Sequence, residues 1–370
     1  MLDVNSLYPS VMYTADLPFG EGLFFEGKYQ DDKVYPLYIQ MITCSFKIKP
    51  NKIPTIQIKG SMYFTGNEYL LSSESEEGGI VCLVLTNVDL KLFFEQYDVE
   101  DLKYIAGWKY RSIKGLFTEY IDKWINVKIE ATKKKNKGER AMAKMMLNSL
   151  YGKFATSLEV QSKIPFLGED GIIHYTLSEK EDKEGIYLPV GIFITSYARE
   201  KTIRTSQAIK DYSIKNYGID KYIYSDTDSI HTTLSIEELK QFCDIDDVRL
   251  GAWAHEGYAT KAKFVRQKCY LENLVVKRKF KGKKIQNLKS KCYNNIKWKH
   301  FTDLKITCAG MPARCYHNVT WESFKEGFSC GDKLAFKHVK GGVMLVETEF
   351  TIKADKVTIK KGKQKKGKKK

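Results

Sequence analysis

No apolar run in the chain reaches the roughly twenty residues that a helix needs to span a bilayer, and no basic segment followed by an apolar stretch opens the sequence. The sequence therefore predicts neither a membrane partner nor a signal peptide. Eight cysteines are scattered without a CxxC pair, which favours neither a zinc site nor a disulfide framework. Together these absences predict a protein of a reducing, cytoplasmic compartment.

What the chain does contain is typical of a globular protein. Its 370 residues are 43% hydrophobic and 13% aromatic, enough for two or three domains with a sizeable core. The net charge is +16, and eight lysines without an acid lie in the last segment, 360–370. The rest of the chain is still basic, so polyanions are the expected partners, nucleic acid first among them. A merely solubilising basic surface is the alternative, and charge alone does not decide between the two.

The local pattern predicts a mixture of strands and helices without an internal repeat. The predicted segments are a mostly β or mixed region over 24–102, helices over 117–151, a polar hairpin over 168–185, a helix over 186–209, a hairpin over 221–233, and short strands after 305. A lysine-rich break at 132–138 is expected to join two antiparallel helices.

The stretch YSDTDS, 224–229, is the most informative acidic segment. Alternating β-branched and aromatic residues flank it, so Asp226 and Asp228 are expected at the tip of a hairpin. Ile223 and Ile230 would anchor this hairpin in the core. Carboxylates held together repel one another unless a cation such as Mg²⁺ lies between them. The alternative is an ordinary turn, where aspartate is common, and the DxD pattern taken alone favours that alternative.

The stretch ERAMAKMMLNSLYGKF, 139–154, is rich in good helix formers and ends near a glycine. Helical spacing places four residues on one face, namely Arg140, Lys144, Asn148 and Tyr151. Two cations, an amide and an aromatic ring suit a polyphosphate that carries a base. A solvated basic face is the alternative, and it explains the two cations but not the amide and the ring beside them.

The opening stretch MLDVNSLYPS places a carboxylate at the end of a predicted strand. The turn after Asp3 is expected to offer successive backbone N–H groups that bind a nucleotide's phosphates, from Asn5, Ser6, Leu7 and Tyr8. If Asp3 lies beside Asp226 and Asp228, the three carboxylates form a two-metal phosphoryl-transfer site.

At this point the residues carry a family resemblance. DVNSLYPSVMY (3–13), KMMLNSLYGKF (144–154) and YSDTDSIH (224–231) resemble motifs A, B and C of family B DNA polymerases, in the same order. KCYLE (268–272) resembles that family's KxY motif, and weaker likeness continues almost to the end of the chain. The resemblance is strongest to the protein-primed bacteriophage enzymes, the type of the small Bacillus podophages.

The resemblance implies a metal site on the palm. Asp3 and Asp228 would be the principal ligands of two Mg²⁺ ions, with Mn²⁺ as a substitute. Asp226 would be an adjacent carboxylate, and the backbone carbonyl of Val4 a further ligand. One ion would activate the primer 3′-hydroxyl, and the other would stabilise the pyrophosphate leaving group.

The resemblance also implies a nucleotide pocket. Tyr8 would pack under the incoming sugar and exclude a 2′-hydroxyl, although an ordinary core aromatic is the alternative. Arg140 and Lys144 would bind the triphosphate, with Lys144 as the general acid for pyrophosphate. Asn148 and Tyr151 would line the pocket.

Three further residues are implied to contact DNA. Gly152 would let the template base approach closely, and Lys268 with Tyr270 would contact the primer terminus. Without the resemblance, a plain surface lysine would be about as good an interpretation of Lys268 as a DNA contact.

The implied fold is α+β, a right-hand polymerase of palm, fingers and thumb with an antiparallel palm sheet and two family-type insertions. The expected divisions are palm with motif A (1–28), an insertion that contacts a terminal protein and DNA (29–118), fingers (119–156), a processivity and strand-displacement hairpin (157–188), palm with motif C and KxY (189–305), thumb (306–353) and a lysine-rich tail (354–370). The implied partners are primer–template DNA and dNTPs, with a terminal protein primer left open. The location would be the host cytoplasm if a phage encodes the chain.

One departure from the family concerns proofreading. Relatives begin with a 3′–5′ exonuclease domain, whereas here Met1 adjoins motif A. The sequence therefore predicts no proofreading, with a separate exonuclease-bearing polypeptide or a truncated reading frame as explanations. Besides a polymerase core, the alternatives are a fragment that binds primer–template DNA but needs a partner to react, and a metal-dependent nuclease. The nuclease is disfavoured because it gives Tyr8, Lys144 and Asn148 no task.

Overall fold

The computed structural model of the chain describes residues 1–57, 69–74, 79–169, 173–182, 185–279, 298–339 and 342–352. These residues form two compact units. The larger unit contains Leu2–Ser157 and Glu184–His255, and the smaller unit contains Met1, Leu158–Lys183 and Glu256–Ala354. The predicted lysine-rich tail, 354–370, lies outside the described residues.

Seventeen strands and six α-helices are defined in the described residues. In chain order they are β1 (Leu2–Val4), α1 (Leu7–Thr14), β2 (Leu17–Glu26), β3 (Leu37–Ile48), β4 (Val81–Thr86), α2 (Asn87–Gln96), β5 (Tyr97–Ile113), α3 (Thr118–Lys133), α4 (Lys137–Phe154), β6 (Glu159–Val160), β7 (Lys163–Leu167), β8 (Ile173–Leu177), β9 (Glu181–Asp182), α5 (Leu188–Tyr217), β10 (Tyr222–Asp226), β11 (Ser229–Thr232), α6 (Ile236–Leu239), β12 (Trp253–His255), β13 (Ala259–Arg266), β14 (Cys269–Lys279), β15 (Trp298–Cys308), β16 (Ser329–Val339) and β17 (Gly342–Thr351). None of the helices within the described ranges has both the length and the apolar character needed to cross a membrane.

The larger unit is built around an antiparallel sheet of order β10-β11-β1-β12. Leu2 and Val4 are almost fully buried while Asp3 between them is partly exposed, as the two-residue period of a strand requires. The buried side joins Ile230 and Phe193 in one hydrophobic core that also takes in residues of α1, α3 and α4. This core supports β1, which carries Asp3, and β11, which directly follows Asp228.

Helix α5 is the 30-residue element that lies against this sheet. A proline in its first turn suits the helix start, and Gly218 ends it in the left-handed conformation, with φ of 68°. Gly191 lets the end of α4 come close, because a Cβ there would lie 2.6 Å from the carbonyl oxygen of Phe154. The predicted helix over 186–209 is therefore confirmed and extends eight residues further, to Tyr217.

A second sheet in the larger unit, of order β2-β5-β3-β4, packs against α2. Its core contains Ile42, Phe46 and Phe93, all almost fully buried. Helix α2 begins at the side chain of Thr86, whose Oγ1 accepts a hydrogen bond from the Asp89 amide at 3.1 Å. The mixed strand and helix content predicted for 24–102 is confirmed for the described part of that region.

The smaller unit consists of three antiparallel sheets, of order β13-β14-β15, β16-β17-β8-β7 and β6-β9. Leu271, Phe324 and Ile352 are fully buried in its core. A disulfide joins Cys315 and Cys330, whose Cα atoms are 5.9 Å apart. The sequence favoured no disulfide framework and gave no sign of this single bridge, because two cysteines 15 residues apart in sequence meet only through the packing of this unit.

Three further expectations need correction. The hairpin predicted over 168–185 begins earlier, with β7 at Lys163–Leu167. The strands after 305 are not short, since β16 and β17 contain 11 and 10 residues. Ile223 does not anchor the acidic hairpin, since it is 43% exposed, whereas Ile230 is fully buried. Ile223 lies where the pairing of β10 with β11 shifts, between Tyr222 and Tyr224, and periodicity alone does not predict such an irregularity.

Candidate active site

The first part of the site is the turn after β1. Ser6 adopts the left-handed conformation, with φ of 56°, and directs the chain into α1. The Asn5 amide donates to the Ala252 carbonyl at 3.0 Å, and its side chain donates to the Asp246 carbonyl at 2.8 Å. The backbone N–H of Asn5 is therefore bonded within the protein and is not one of the exposed N–H groups that the sequence predicted. Phosphate binding by Ser6, Leu7 and Tyr8 remains a prediction.

The second part is the hairpin of β10 and β11, which confirms the predicted hairpin over 221–233. Its tip is a tight turn at Thr227, where the Asp228 amide donates to the Asp226 carbonyl at 2.6 Å. Thr227 has a φ of 53°, which is uncommon for a β-branched residue. The Val4 amide donates to the Asp228 carbonyl at 2.7 Å. The turn of the acidic hairpin is thereby tied to the strand that carries Asp3.

The sheet register brings the carboxylates of the two motifs to neighbouring positions. Ser229 is the cross-strand partner of Asp3 on one side and of Asp226 on the other. Directly paired residues point to the same face of a sheet, so Asp3 and Asp226 flank Ser229 on one face. Asp228 immediately precedes Ser229. The sequence suggested that these carboxylates meet, but only the strand pairing places them next to one another.

Two observations test whether these residues suit divalent ions. Three carboxylates at adjoining backbone positions supply the oxygen ligands that Mg²⁺ prefers. Over the residues that the structure describes, however, no three acidic, histidine or cysteine side chains converge closely enough to be a formed metal cluster. The residues fit divalent ions by chemistry and backbone placement.

The third part is the face of α4. Asn136 caps this helix by accepting a hydrogen bond from the Glu139 amide at 3.2 Å, which explains why the helical pattern breaks just before it. Ala143 and Leu147 are fully buried. On the adjoining face Arg140, Lys144 and Asn148 are exposed and Tyr151 is half-buried, so the predicted polar face is exposed, and ligand binding there remains a prediction.

Tyr8 joins the three motifs. Its ring stacks on that of Tyr151, with centroids 4.1 Å apart and planes inclined by 23°. Burial raises the pKa of Tyr8 to about 12, with further contributions from Tyr151 and from the carboxylate of Asp228. Tyr8 is therefore a neutral phenol at physiological pH, held between the helix face and the acidic hairpin.

Lys128 on α3 was missed by the sequence analysis. Its Nζ donates to the Ser6 hydroxyl at 3.1 Å. Burial lowers the pKa of Lys128, the charges of Arg140 and Lys144 lower it further, and Asp3 acts in the opposite direction. Lys128 thus contacts the turn after β1, and the charges of Arg140 and Lys144 act on it. No sequence signal marks Lys128, because only the packing of α3 on α4 brings it there.

Arg199 on α5 was also missed. Its guanidinium forms two hydrogen bonds to the Asp89 carboxylate, at 2.8 and 2.9 Å, and the Ser196 hydroxyl donates to the same carboxylate at 2.6 Å. Burial alone would raise the pKa of Asp89, but the hydrogen bonds and charge of Arg199 lower it overall. Burial raises the pKa of Tyr8 and of Tyr151, and the charge of Arg199 opposes this rise, so this fixed cation borders the tyrosine pair.

The three predicted DNA-contacting residues lie in different places. Gly152 is exposed near the end of α4, and a Cβ there would meet nothing within 4 Å, so contacts within the protein do not demand glycine. Lys268 belongs to the smaller unit, in the turn between β13 and β14, with a φ of 54°. Tyr270, 9% exposed, stacks on Phe264 at 5.0 Å in the same unit. Their contacts with DNA remain predictions.

Comparison with known proteins decides the family. The model of the family described as DNA polymerase type B, organellar and viral, matches residues 1–244. The chain belongs to the type B DNA polymerases. It is 44% identical to the DNA polymerase of Bacillus phage PZA over 354 residues, which is 95% of this chain and 58% of that protein. It is 33% identical to the DNA polymerase of Streptococcus phage Cp-1, covering 95% of this chain and 56% of that protein.

The fold agrees with the family. A solved structure of phi29 DNA polymerase, in a ternary complex with primer–template DNA and incoming nucleotide substrates, superposes with a TM-score of 0.78 at 42% identity. It covers 95% of this chain and 57% of the phi29 protein, whose source is a Bacillus phage. The predicted α+β right-hand polymerase fold is thereby confirmed. The chain spans somewhat more than half the length of the relatives that it matches.

Proposed function

We propose that the chain is the polymerising part of a protein-primed, phage-type DNA polymerase. It would add dNTPs to the 3′-hydroxyl of a primer under the direction of a template strand. The observation that carries this proposal is the stack of Tyr8 on Tyr151. This contact brings motifs A and B together beside the acidic hairpin of motif C, whose Asp228 raises the pKa of Tyr8.

The metal ligands would be Asp3, Asp228 and the Val4 carbonyl, with Asp226 as the adjacent carboxylate. Two divalent ions bound there, Mg²⁺ or Mn²⁺, would supply activation of the primer hydroxyl and charge stabilisation of the departing pyrophosphate. Asp3 and Asp226 lie on one face of a sheet whose other face is buried, so the protein presents its carboxylates on a rigid support.

The nucleotide would bind between the cations and the tyrosine pair. Arg140, Lys144 and Lys128 would bind the triphosphate oxygens, and Lys144 would give a proton to the leaving pyrophosphate. The Tyr8–Tyr151 stack would form the floor under the sugar, with Asn148 beside it on the same helix face. Because Tyr8 lies between the face of α4 and the acidic hairpin, its ring would not move aside for a 2′-hydroxyl.

The partners proposed from the resemblance are primer–template DNA and dNTPs, which are also what the phi29 structure contains. A terminal protein, a separate exonuclease-bearing polypeptide and a location in the host cytoplasm remain proposals. So do the divisions into palm, insertions, fingers, thumb and tail, and the DNA contacts of Gly152, Lys268 and Tyr270.

Primer extension tests the proposal directly. The chain is incubated with a 5′-labelled primer annealed to a longer template, Mg²⁺ and four dNTPs. We expect extension, and we expect Asp228→Asn to reduce it to background while leaving DNA binding intact. Glu237→Gln removes an exposed acid of α6 and is the matched control, with unchanged extension expected.

The same assay separates the alternatives. If the unmodified chain binds the DNA, seen as reduced mobility of the DNA in a gel, but does not extend the primer, a primer–template-binding fragment that needs a partner would be favoured. Shortening of the primer would favour a nuclease. Extension that persists in Asp228→Asn would mean that motif C is not the catalytic centre.

A further inference from the structure

The turn that carries the motif C aspartates is backbone-strained. The Asp228 amide bonds back to the Asp226 carbonyl, two residues earlier, and this closes a γ-turn centred on Thr227. The φ of Thr227 is 53°, in the region that costs L-residues free energy and costs β-branched residues most. Such a conformation persists only where the surroundings hold it, and it is common at functional sites.

One side chain outside the hairpin holds this turn. Thr202 on α5 donates a hydrogen bond from Oγ1 to the carbonyl oxygen of Thr227 at 2.6 Å. Its Oγ1 also lies 3.3 Å from the Ala198 carbonyl of its own helix. A hydroxyl has a single proton to donate, and the shorter contact identifies Thr227 as the main acceptor.

The support behind Thr202 is rigid. Thr202 is 5% exposed, and its neighbours Ala198 and Ile203 on α5 are also buried. Within the hairpin itself, the Ser229 hydroxyl reaches the Asp226 carbonyl at the longer distance of 3.2 Å. The Val4 amide holds the far side of the turn at the Asp228 carbonyl. Thr202 is therefore the anchor on the middle residue, between the two aspartates.

We propose that Thr202 is a positioning residue for catalysis, which holds the γ-turn at Thr227 so that Asp226 and Asp228 present their carboxylates together to divalent ions. The inference rests on the proposed function, and it assigns a role to a helix residue outside motifs A, B and C. Without the hydroxyl, the turn can relax towards an unstrained conformation, and Asp226 and Asp228 are no longer held in their present relative placement.

The test compares three variants of the full chain. Thr202→Val keeps the shape of the side chain and removes the hydroxyl, whereas Thr202→Ser keeps the hydroxyl. Ser213→Ala is the matched control, because Ser213 is a fully buried hydroxyl on the same helix that donates to the carbonyl of Ile209 in its own helix. Thermal unfolding shows whether each variant is folded, and Thr202→Ala replaces Thr202→Val if the latter is not.

Metal binding is measured first, without turnover. Tb³⁺ is the probe, read by tyrosine-sensitised luminescence, and the signal lost in Asp228→Asn defines the site. We expect Thr202→Val to weaken Tb³⁺ binding at this site by about tenfold, and Thr202→Ser and Ser213→Ala to leave it unchanged. Equal affinity in Thr202→Val and the unmodified chain would overturn the proposal, and so would the absence of any signal that depends on Asp228.

Turnover gives the second measurement. We expect Thr202→Val to lower kcat for dNTP addition by about ten- to a hundredfold with little change in KM, and Thr202→Ser to restore it. An increase in KM without a change in kcat would overturn the positioning role. A kcat that Thr202→Ser leaves as low as Thr202→Val does would also overturn it. If the unmodified chain extends no primer, the proposed function fails, and the Tb³⁺ comparison still decides whether Thr202 orients the carboxylates.

Discussion

At the scale of single residues, the site contains side chains whose pKa values are shifted from the usual values of their residue types by their surroundings. Tyr8 is kept neutral by burial and by neighbouring carboxylates, with a pKa of about 12. Lys128 is held among other cations, and its pKa is lowered. Titratable groups with shifted pKa values on neighbouring elements, here one raised and one lowered, are typical of a catalytic pocket. Two predictions follow from these two residues.

The first concerns sugar selection by Tyr8. Tyr8→Val removes the ring that stacks on Tyr151 and opens space under the bound sugar. We expect the preference for dNTPs over rNTPs to fall by about 10- to 200-fold, as the loss of one steric contact allows. Single-nucleotide incorporation with matched dNTP and rNTP measures it, and unchanged discrimination would place the gate elsewhere. Tyr13→Val, on the same helix, is the control.

The second concerns triphosphate binding by Lys128. Lys128→Met keeps the length of the side chain and removes the charge that faces Ser6, Arg140 and Lys144. We expect KM for dNTP to rise about ten- to a hundredfold with kcat less affected, because a charge-assisted hydrogen bond to phosphate is lost. Lys123→Met, an exposed lysine on the same helix, should leave KM unchanged. Equal effects of the two substitutions would contradict a specific role.

At the scale of elements, strands and helices of the larger unit carry different charged groups of the site. The sheet β10-β11-β1-β12 holds the carboxylates, and α3 with α4 holds the cations. The Tyr120 hydroxyl of α3 donates to the Met146 carbonyl of α4 at 2.9 Å, which fixes the two helices relative to each other. Charges of opposite sign are thus carried by separate elements around Tyr8.

In the smaller unit, the disulfide is the element-scale feature that can be tested. Cys315 and Cys330 close a short loop next to a core that contains Phe324 and Phe350. We expect the double substitution Cys315→Ser and Cys330→Ser to lower the free energy of unfolding by about 3 kcal/mol, the chain-entropy value for a loop of this length. Urea unfolding with and without reductant measures it. Cys82→Ser removes an exposed free thiol and should have no effect.

At the scale of the whole molecule, we expect net charge to govern the first encounter with the DNA that is proposed as substrate. The net charge of +16 belongs to a chain that matches DNA polymerases over 95% of its length. We expect the affinity for primer–template DNA to fall linearly with salt on logarithmic axes, by about 10³- to 10⁵-fold between about 50 and 200 mM if six to ten phosphates are neutralised. Fluorescence anisotropy of labelled DNA measures the slope. A flat response would contradict an electrostatic footprint.

Much of the fold and part of the site were predictable from local pattern. The helices on both sides of 132–138 and the hairpin at 221–233 are confirmed, because periodicity and turn residues act over a few neighbouring positions. The ordered motifs also named Tyr8, Lys144 and Asp228 as site candidates, since each motif is continuous in sequence, and their roles remain predictions. The sequence did not indicate the bonded backbone amide of Asn5 or the exposure of Ile223, because the first depends on a partner distant in sequence and the second lies at a register shift of β10.

The sequence by itself determined the family and the three motifs, because the order and spacing of their residues are properties of the chain alone. Tertiary structure decided which residues meet. It brought Lys128 to Ser6, stacked Tyr8 on Tyr151, joined Cys315 to Cys330 and set the Thr202 hydroxyl against the carbonyl of Thr227. Each of these contacts joins residues that are far apart in sequence, and its energy exists only once the elements have packed. No local pattern can contain that information.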